Sequence, residues 1–176
     1  LRIEEKPSIA PRTNLLNTGL YVFDISVFDV KLSLSPRGEY EITDAVSELA
    51  KKEEFSYEVC KDYWLPIGYP WHILQANEFI LRRITKENRG RAEPDVIIKG
   101  ETRIGEGTII NKGTHIEGPV IIGKNCSIGR DCRIRPYTTI GDSCIIGPSS
   151  EISNSVIGEK TAVGNSSKVE DSVIGD

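Results

Sequence analysis

Side chains able to do chemistry are sparse in this chain of 176 residues, so their spacing carries the information. Cys126, Cys132 and Cys144 share a stretch in which every sixth residue is aliphatic. Cys126 and Cys144 lie eighteen apart, which brings two thiols within disulfide reach if the chain returns on itself at that interval. The better account is packing, because all three cysteines fall where the repeat places a small buried residue. No cysteine pair has the close spacing of a zinc site. His115 is the only histidine in the repeat and occupies an outward-pointing variable position, so it reads as a surface residue. Lys6 on its own reads as a solvated lysine, and Glu41 and Asp44 serve equally well as a helix entry or as site carboxylates.

The element that must position the cysteines is the repeat itself. Aliphatic residues recur at Ile98, Ile104, Ile110, Ile116, Ile122, Ile128, Ile134, Ile140, Ile146 and Ile152, then at Ile157, Val163, Val169 and Ile174. Glycine follows in eight of these fourteen places, fitting close backbone approach and unusual torsions. Four residues after each aliphatic stands a small or β-branched residue, from Thr102, Thr108 and Thr114 through Ser150, Val156 and Thr161 to Val173. A period of six matches neither helix nor single strand and indicates a parallel β-helix with three hexads to a coil. Three interior columns follow: Ile98, Ile116, Ile134, Ile152 and Val169; Ile104, Ile122, Ile140, Ile157 and Ile174; Ile110, Ile128, Ile146 and Val163. The two five-residue steps, Ile152 to Ile157 and Val169 to Ile174, fall at one corner of successive coils.

The first ninety residues have a different texture. Leu20–Phe23 reads as a buried strand, Glu41–Glu53 as a helix, Glu58–Leu65 as a second strand and Pro70–Ile84 as a second helix. Residues 1–84 are expected to be one portion of a mixed α/β domain, 85–94 a linker and 95–176 the β-helix. Such an α/β segment is too short to complete its own sheet. The chain has no methionine and ends two residues after an aliphatic position, and it is expected to be a piece of a longer protein. A net charge of −4 offers no basic footprint for nucleic acid. No apolar run reaches membrane-spanning length and no signal peptide is visible, so no membrane partner is expected; with no paired-cysteine metal spacing, a cytoplasmic protein is expected.

The hexads resemble the hexapeptide-repeat family of left-handed β-helices, which hosts several activities. Four motifs precede them in order: Glu5-Lys6-Pro7, Asn17-Thr18-Gly19-Leu20-Tyr21, Gly38-Glu39-Tyr40-Glu41-Ile42-Thr43-Asp44, and Trp64-Leu65-Pro66-Ile67-Gly68-Tyr69-Pro70-Trp71. Together they resemble the sugar-binding half of the sugar-1-phosphate nucleotidyltransferases, of the glucose-1-phosphate thymidylyl- or uridylyl- and mannose-1-phosphate guanylyltransferase type. The resemblance implies a fold: part of a Rossmann-like α/β domain followed by a left-handed parallel β-helix. It implies that Lys6 sets an ammonium against the sugar phosphate as a catalytic group. Glu5 then accepts from sugar hydroxyls, and the backbone near Asn17 and Gly19 closes around the ring. It further implies sugar 1-phosphate and a nucleoside triphosphate as partners, Mg2+ as cofactor of the full-length enzyme and a homo-oligomer built through the β-helix. In that family the triphosphate site lies in the N-terminal half, so the 176 residues alone are expected to be inactive.

The resemblance breaks at defined positions. Relatives carry a magnesium-holding Asp where this chain has Pro66, so no metal ligand is carried over; Asp62 is the nearest substitute. His72 replaces a more usual Asp at a helix start. Bifunctional relatives use a histidine base in the tail at the position of Asn165, and a basic residue at Ser153; Arg135 alone matches. Two alternatives therefore accompany the transferase reading: a hexapeptide-repeat acetyltransferase, and a non-catalytic regulatory or oligomerising paralogue.

Overall fold

The computed structural model describes residue 3 and residues 15–52 and 56–175. The chain divides into two units, residues 1–64 and 65–176. In the first, the Asp24 carboxylate accepts from the Ser26 amide (2.8 Å) and starts a 3-10 turn, Ile25–Asp29. The amphipathic helix α1 (Ile42–Lys52) follows, burying Thr43, Ala45 and Val46. Arg37 pairs with Glu39 (2.8 Å) and Glu41 (2.6 Å) ahead of it.

Neither expected strand of this unit forms. Leu20 is 85% and Val22 95% exposed, and no residue of Leu20–Phe23 belongs to a strand. No residue of Glu58–Leu65 belongs to a strand either. An extended segment becomes a strand only when a neighbouring strand takes its backbone groups, and no such ladder forms here among the described residues.

The second unit opens with α2 (Pro70–Leu81), which has proline at its first position and buries Leu81. The parallel β-helix then rises in three walls. Wall A stacks Glu87–Asn88, Thr102–Ile104, Val120–Ile122, Thr138–Ile140, Val156–Ile157 and Val173–Ile174. Wall B stacks Arg91–Ala92, Ile109–Ile110, Ser127–Ile128, Ile145–Ile146 and Ala162–Val163. Wall C stacks Ile97–Lys99, His115–Glu117, Arg133–Ile134, Glu151–Ser153 and Lys168–Glu170.

The three aliphatic columns stand as the spacing dictates. Ile116 pairs with Ile134 and Ile152 with Val169 in one, Ile140 with Ile157 and Ile146 with Val163 in the others. From Ile104 to Ile157 every column residue is buried. Each fully buried isoleucine contributes roughly 1.5–3 kcal/mol relative to exposure, so the ladder is the dominant stabilising feature.

Four details differ from expectation. The segment 85–94 already holds the first coil, with Asn88 beneath Ile104 and Ala92 beneath Ile110. Neither residue is a branched aliphatic, so the beat conceals this coil. Second, Gly105, Gly123, Gly129, Gly141 and Gly147 serve close approach and not a positive φ: a Cβ on Gly105 would lie 2.6 Å from the Gly123 carbonyl carbon. Third, the left-handed torsions occur instead at Asn125, Asp131, Tyr137, Ser143 and Ser149, three residues after each aliphatic. Fourth, Ser155 and Ser172, not Val156 and Val173, occupy the small position in the shortened coils. Ser155 is fully buried while Val173 is exposed. The small residue keeps its distance to the next aliphatic because both belong to the incoming strand; the deletion is absorbed in the corner, at Asn154 and Asp171, which both have positive φ. Those two corners join wall C to wall A, as the alignment of the deletions requires.

The small positions are tied by hydrogen bonds along the axis. Thr108 Oγ1 donates to Gly123 O (2.6 Å) and accepts from the Cys126 amide (3.0 Å); Thr114 repeats this with Gly129 (2.7 Å) and Cys132 (3.2 Å). Higher up, Cys126, Cys132 and Cys144 donate their thiols to Gly141, Gly147 and Gly158 (2.9–3.2 Å). At the corner into wall A the ladder lapses, and the buried hydroxyls of Thr102 and Thr138 have no partner.

Helix α2 lies on the outside of wall A. Asn77 uses both ends of its amide: Nδ2 donates to Tyr137 O (2.8 Å) and Oδ1 accepts from Thr139 Oγ1 (2.6 Å). Arg82 stands over the Tyr137 ring at 5.0 Å.

Candidate functional site

Of the residues marked out by the motifs, Glu5 and Lys6 (and Pro7 beside them) lie outside the described residues. Asn17 and Gly19 form a closed turn in the first unit. The Asn17 side-chain oxygen accepts from the Gly19 amide (3.1 Å), and Gly19 has φ 76, a torsion that favours glycine. Asn17 Nδ2 donates to the Tyr21 hydroxyl. The indole of Trp64 donates to Thr18 O (3.3 Å), so the beginning of the fourth motif meets the second across 46 residues of sequence. No periodicity announces that contact; only the shared presence of both motifs hints at it.

Glu41 is occupied structurally. It accepts from Ser35 Oγ (3.1 Å) and pairs with Arg37, closing the loop that leads into α1, and its carbonyl accepts the Asp44 amide (3.1 Å). Asp44 sits in the first turn of α1, where a carboxylate complements the helix dipole.

In the second unit, the rest of the fourth motif is a loop, Leu65–Tyr69, ending in α2. The Gly68 amide donates to His72 Nδ1 (3.0 Å), and the rings of Tyr69 and Trp71 stack at 4.6 Å with planes 8° apart. Sequence reasoning placed His72 at a helix start but missed the bond back to Gly68. The bond is related to a capping box, in which the third helical residue reaches back to the N-cap amide, but it extends one residue further, to Gly68, which that spacing does not announce.

The described residues do not fit a magnesium ion. Pro66 has no side-chain donor, and Asp62 is a single exposed carboxylate. Among the described residues no three His, Cys, Asp or Glu side chains gather into a metal-sized group.

On wall C, His115, Glu117, Arg133 and Arg135 line a shallow depression of about 150 Å³. Arg135 is engaged by Glu151 at 2.5 Å. Asn165 is exposed at a corner and its amide has no basic nitrogen to take a proton. The three repeat cysteines are free and buried. Burial pushes all three thiols up from their ordinary range, so they stay protonated and serve as donors and filler, not nucleophiles. Among the described residues no helix is long and apolar enough to cross a membrane.

Residues 1–83 match the family model described as nucleotidyl transferase, and residues 116–176 the model described as the GMPPB C-terminal domain. The bifunctional protein GlmU of Methanocaldococcus jannaschii is 40% identical over 159 residues, covering 89% of this chain and 39% of that protein. A bifunctional sugar-1-phosphate nucleotidylyltransferase/acetyltransferase of Sulfurisphaera tokodaii is 41% identical over 159 residues, with the same coverage of 89% and 39%. The low-salt glycan biosynthesis nucleotidyltransferase Agl11 of Haloferax volcanii is 37% identical over 105 residues, 58% of this chain and 29% of that one. The chain thus spans about two fifths of the length of the first two relatives. The segment holding the four motifs thus matches nucleotidyl transferases, the later hexads match the GMPPB C-terminal domain, and the chain as a whole is similar to part of bifunctional sugar-1-phosphate nucleotidylyltransferase/acetyltransferases.

Proposed function

We propose that this chain is the sugar-binding and tail portion of an enzyme that makes a nucleotide sugar. A phosphate oxygen of the sugar 1-phosphate attacks the α-phosphorus of a nucleoside triphosphate, a new P–O bond forms, and pyrophosphate leaves. The observation that carries the reading is the transferase match over residues 1–83, the segment holding all four motifs. The transferase portion is assigned to residues 1–84, and the β-helix of the tail serves assembly into a homo-oligomer in the cytoplasm. Magnesium belongs to the full-length enzyme; its donors are sought outside the residues described here.

Lys6 is the catalytic group assigned to this portion. Its ammonium offsets charge on the sugar phosphate as the new bond forms. Glu5 orients the sugar through its hydroxyls, and the Asn17–Gly19 turn closes on the ring with a backbone already held by Asn17. The exposed Leu20, Val22 and Phe28 fit an enzyme whose remaining sheet covers them. The acetyl-transfer reading is set aside because Asn165 cannot act as a base.

The test is pyrophosphate release by the full-length protein with a panel of triphosphates and sugar 1-phosphates. One pair should turn over, and Lys6→Ala should lower kcat/KM about a hundredfold. Absence of turnover with every pair overturns the reading.

A further inference from the structure

We infer that His72 is a positioning residue that holds the loop Leu65–Tyr69 through its neutral imidazole, and that protonation releases this hold. A backbone N–H can only donate, so the Gly68 contact to Nδ1 at 3.0 Å requires an unprotonated nitrogen there and places the ring proton on Nε2. An imidazolium has no acceptor nitrogen. It would also set a cation in the first turn of α2, where the helix dipole disfavours it.

The position leaves the loop few other anchors. Tyr69, the N-cap residue, makes no side-chain cap bond, and Pro70 supplies no amide donor. Gly68 has nothing but His72 within 4 Å of where a Cβ would stand. The imidazole stands edge-on to Tyr69 (5.5 Å, 72°) and Trp71 (5.9 Å, 79°), so the same ring braces the stacked aromatic pair at the loop's end.

Neither the first turn of the helix nor the two wall A strands packed against it supplies a carboxylate to hold an imidazolium in place. The first turn of α2 has no acidic residue. The wall A strands packed against the helix, Val156–Ile157 and Val173–Ile174, carry no charged side chain. Among the described residues, the Tyr69 phenol is the one other titratable group in ring contact with His72. An aspartate at this position would accept the same amide and also complement the dipole, with no dependence on imidazole protonation. Histidine makes the hold conditional on an unprotonated Nδ1. Its link to catalysis rests on the reading of Leu65–Tyr69 as part of the sugar-side motif.

The experiment is amide hydrogen exchange of the full chain, followed at Gly68 by NMR and corrected for intrinsic rate, at about pH 8 and about pH 5. Protection at Gly68 should fall about fivefold in acid, the equivalent of one ordinary hydrogen bond of about 1 kcal/mol. It should be level at both pH values in His72→Asp and low at both in His72→Ala. The Gly141 amide, bonded to Ile157 O at 2.8 Å, reports that the β-helix remains folded throughout. Unchanged wild-type protection between the two pH values, or a His72→Ala chain as protected as wild type, overturns the inference. In the full-length enzyme, KM for the sugar 1-phosphate should rise in acid for wild type and stay level for His72→Asp. If Gly68 responds to pH and KM does not, the hold stands and the assignment of this loop to the substrate side falls.

Discussion

Replacing threonine by valine at two buried corners should have opposite effects, although the two sites have the same burial. Thr108 and Thr138 are both fully buried, and valine matches threonine in shape. Thr108 Oγ1 makes two bonds, to Gly123 O at 2.6 Å and from the Cys126 amide at 3.0 Å. Thr108→Val removes both and leaves a buried N–H and C=O without that partner, a loss of about 2–3 kcal/mol. Thr138 Oγ1 has no partner, so Thr138→Val deletes a desolvated hydroxyl and should stabilise by about 1 kcal/mol. Valine suits that column, because Val120 already occupies it directly beside Thr138. The assay is urea unfolding followed by circular dichroism, comparing midpoints at an unchanged slope. The two midpoints should move in opposite directions, separated by the equivalent of roughly 3–4 kcal/mol. Equal shifts, or greater loss in Thr138→Val, would refute the reasoning that the hydroxyl's partner decides the outcome.

Glycines after the aliphatics should divide by clearance. Gly141→Ala puts a Cβ 2.7 Å from the Glu159 amide nitrogen and should cost about 1–3 kcal/mol, whereas Gly175→Ala meets nothing within 4 Å and should be neutral in the same unfolding assay. Asn77→Ala removes two contacts of α2 with wall A and should raise hydrogen exchange across residues 70–81 about tenfold, with wall B amides unchanged. A thiol reagent should label Cys60 in the native chain and all four cysteines only after unfolding. The folded pKa values of Cys126, Cys132 and Cys144 are raised, chiefly by burial. Their stabilisation is therefore complete below the unfolded thiol range of about 8.5 and is lost as pH rises towards the raised folded values. Cys144→Ala should flatten that alkaline decline, measured as unfolding midpoint against pH.

What could be read from the residues alone was whatever repeats. An aliphatic at every sixth position specifies a ladder, because a β-helix wall presents the same residue to the same neighbours at each coil. The three columns, the shared corner of both deletions and the burial of three cysteines follow from counting. Asn88 and Ala92 escaped notice because the first coil keeps the backbone path without the aliphatic identity. The left-handed corners escaped because Ser143 and Tyr137 hold a torsion that glycine would announce. Among the site residues, the motifs marked Asn17 and Gly19 and exposed the absence of a ligand at Pro66. Only tertiary structure brought Trp64 to Thr18 and Gly68 to His72, and only it left Leu20–Phe23 outside any strand. Periodicity is a local property that a sequence records directly; a contact between non-repeating segments depends on how the chain is routed, and a strand exists only once its neighbour is in place.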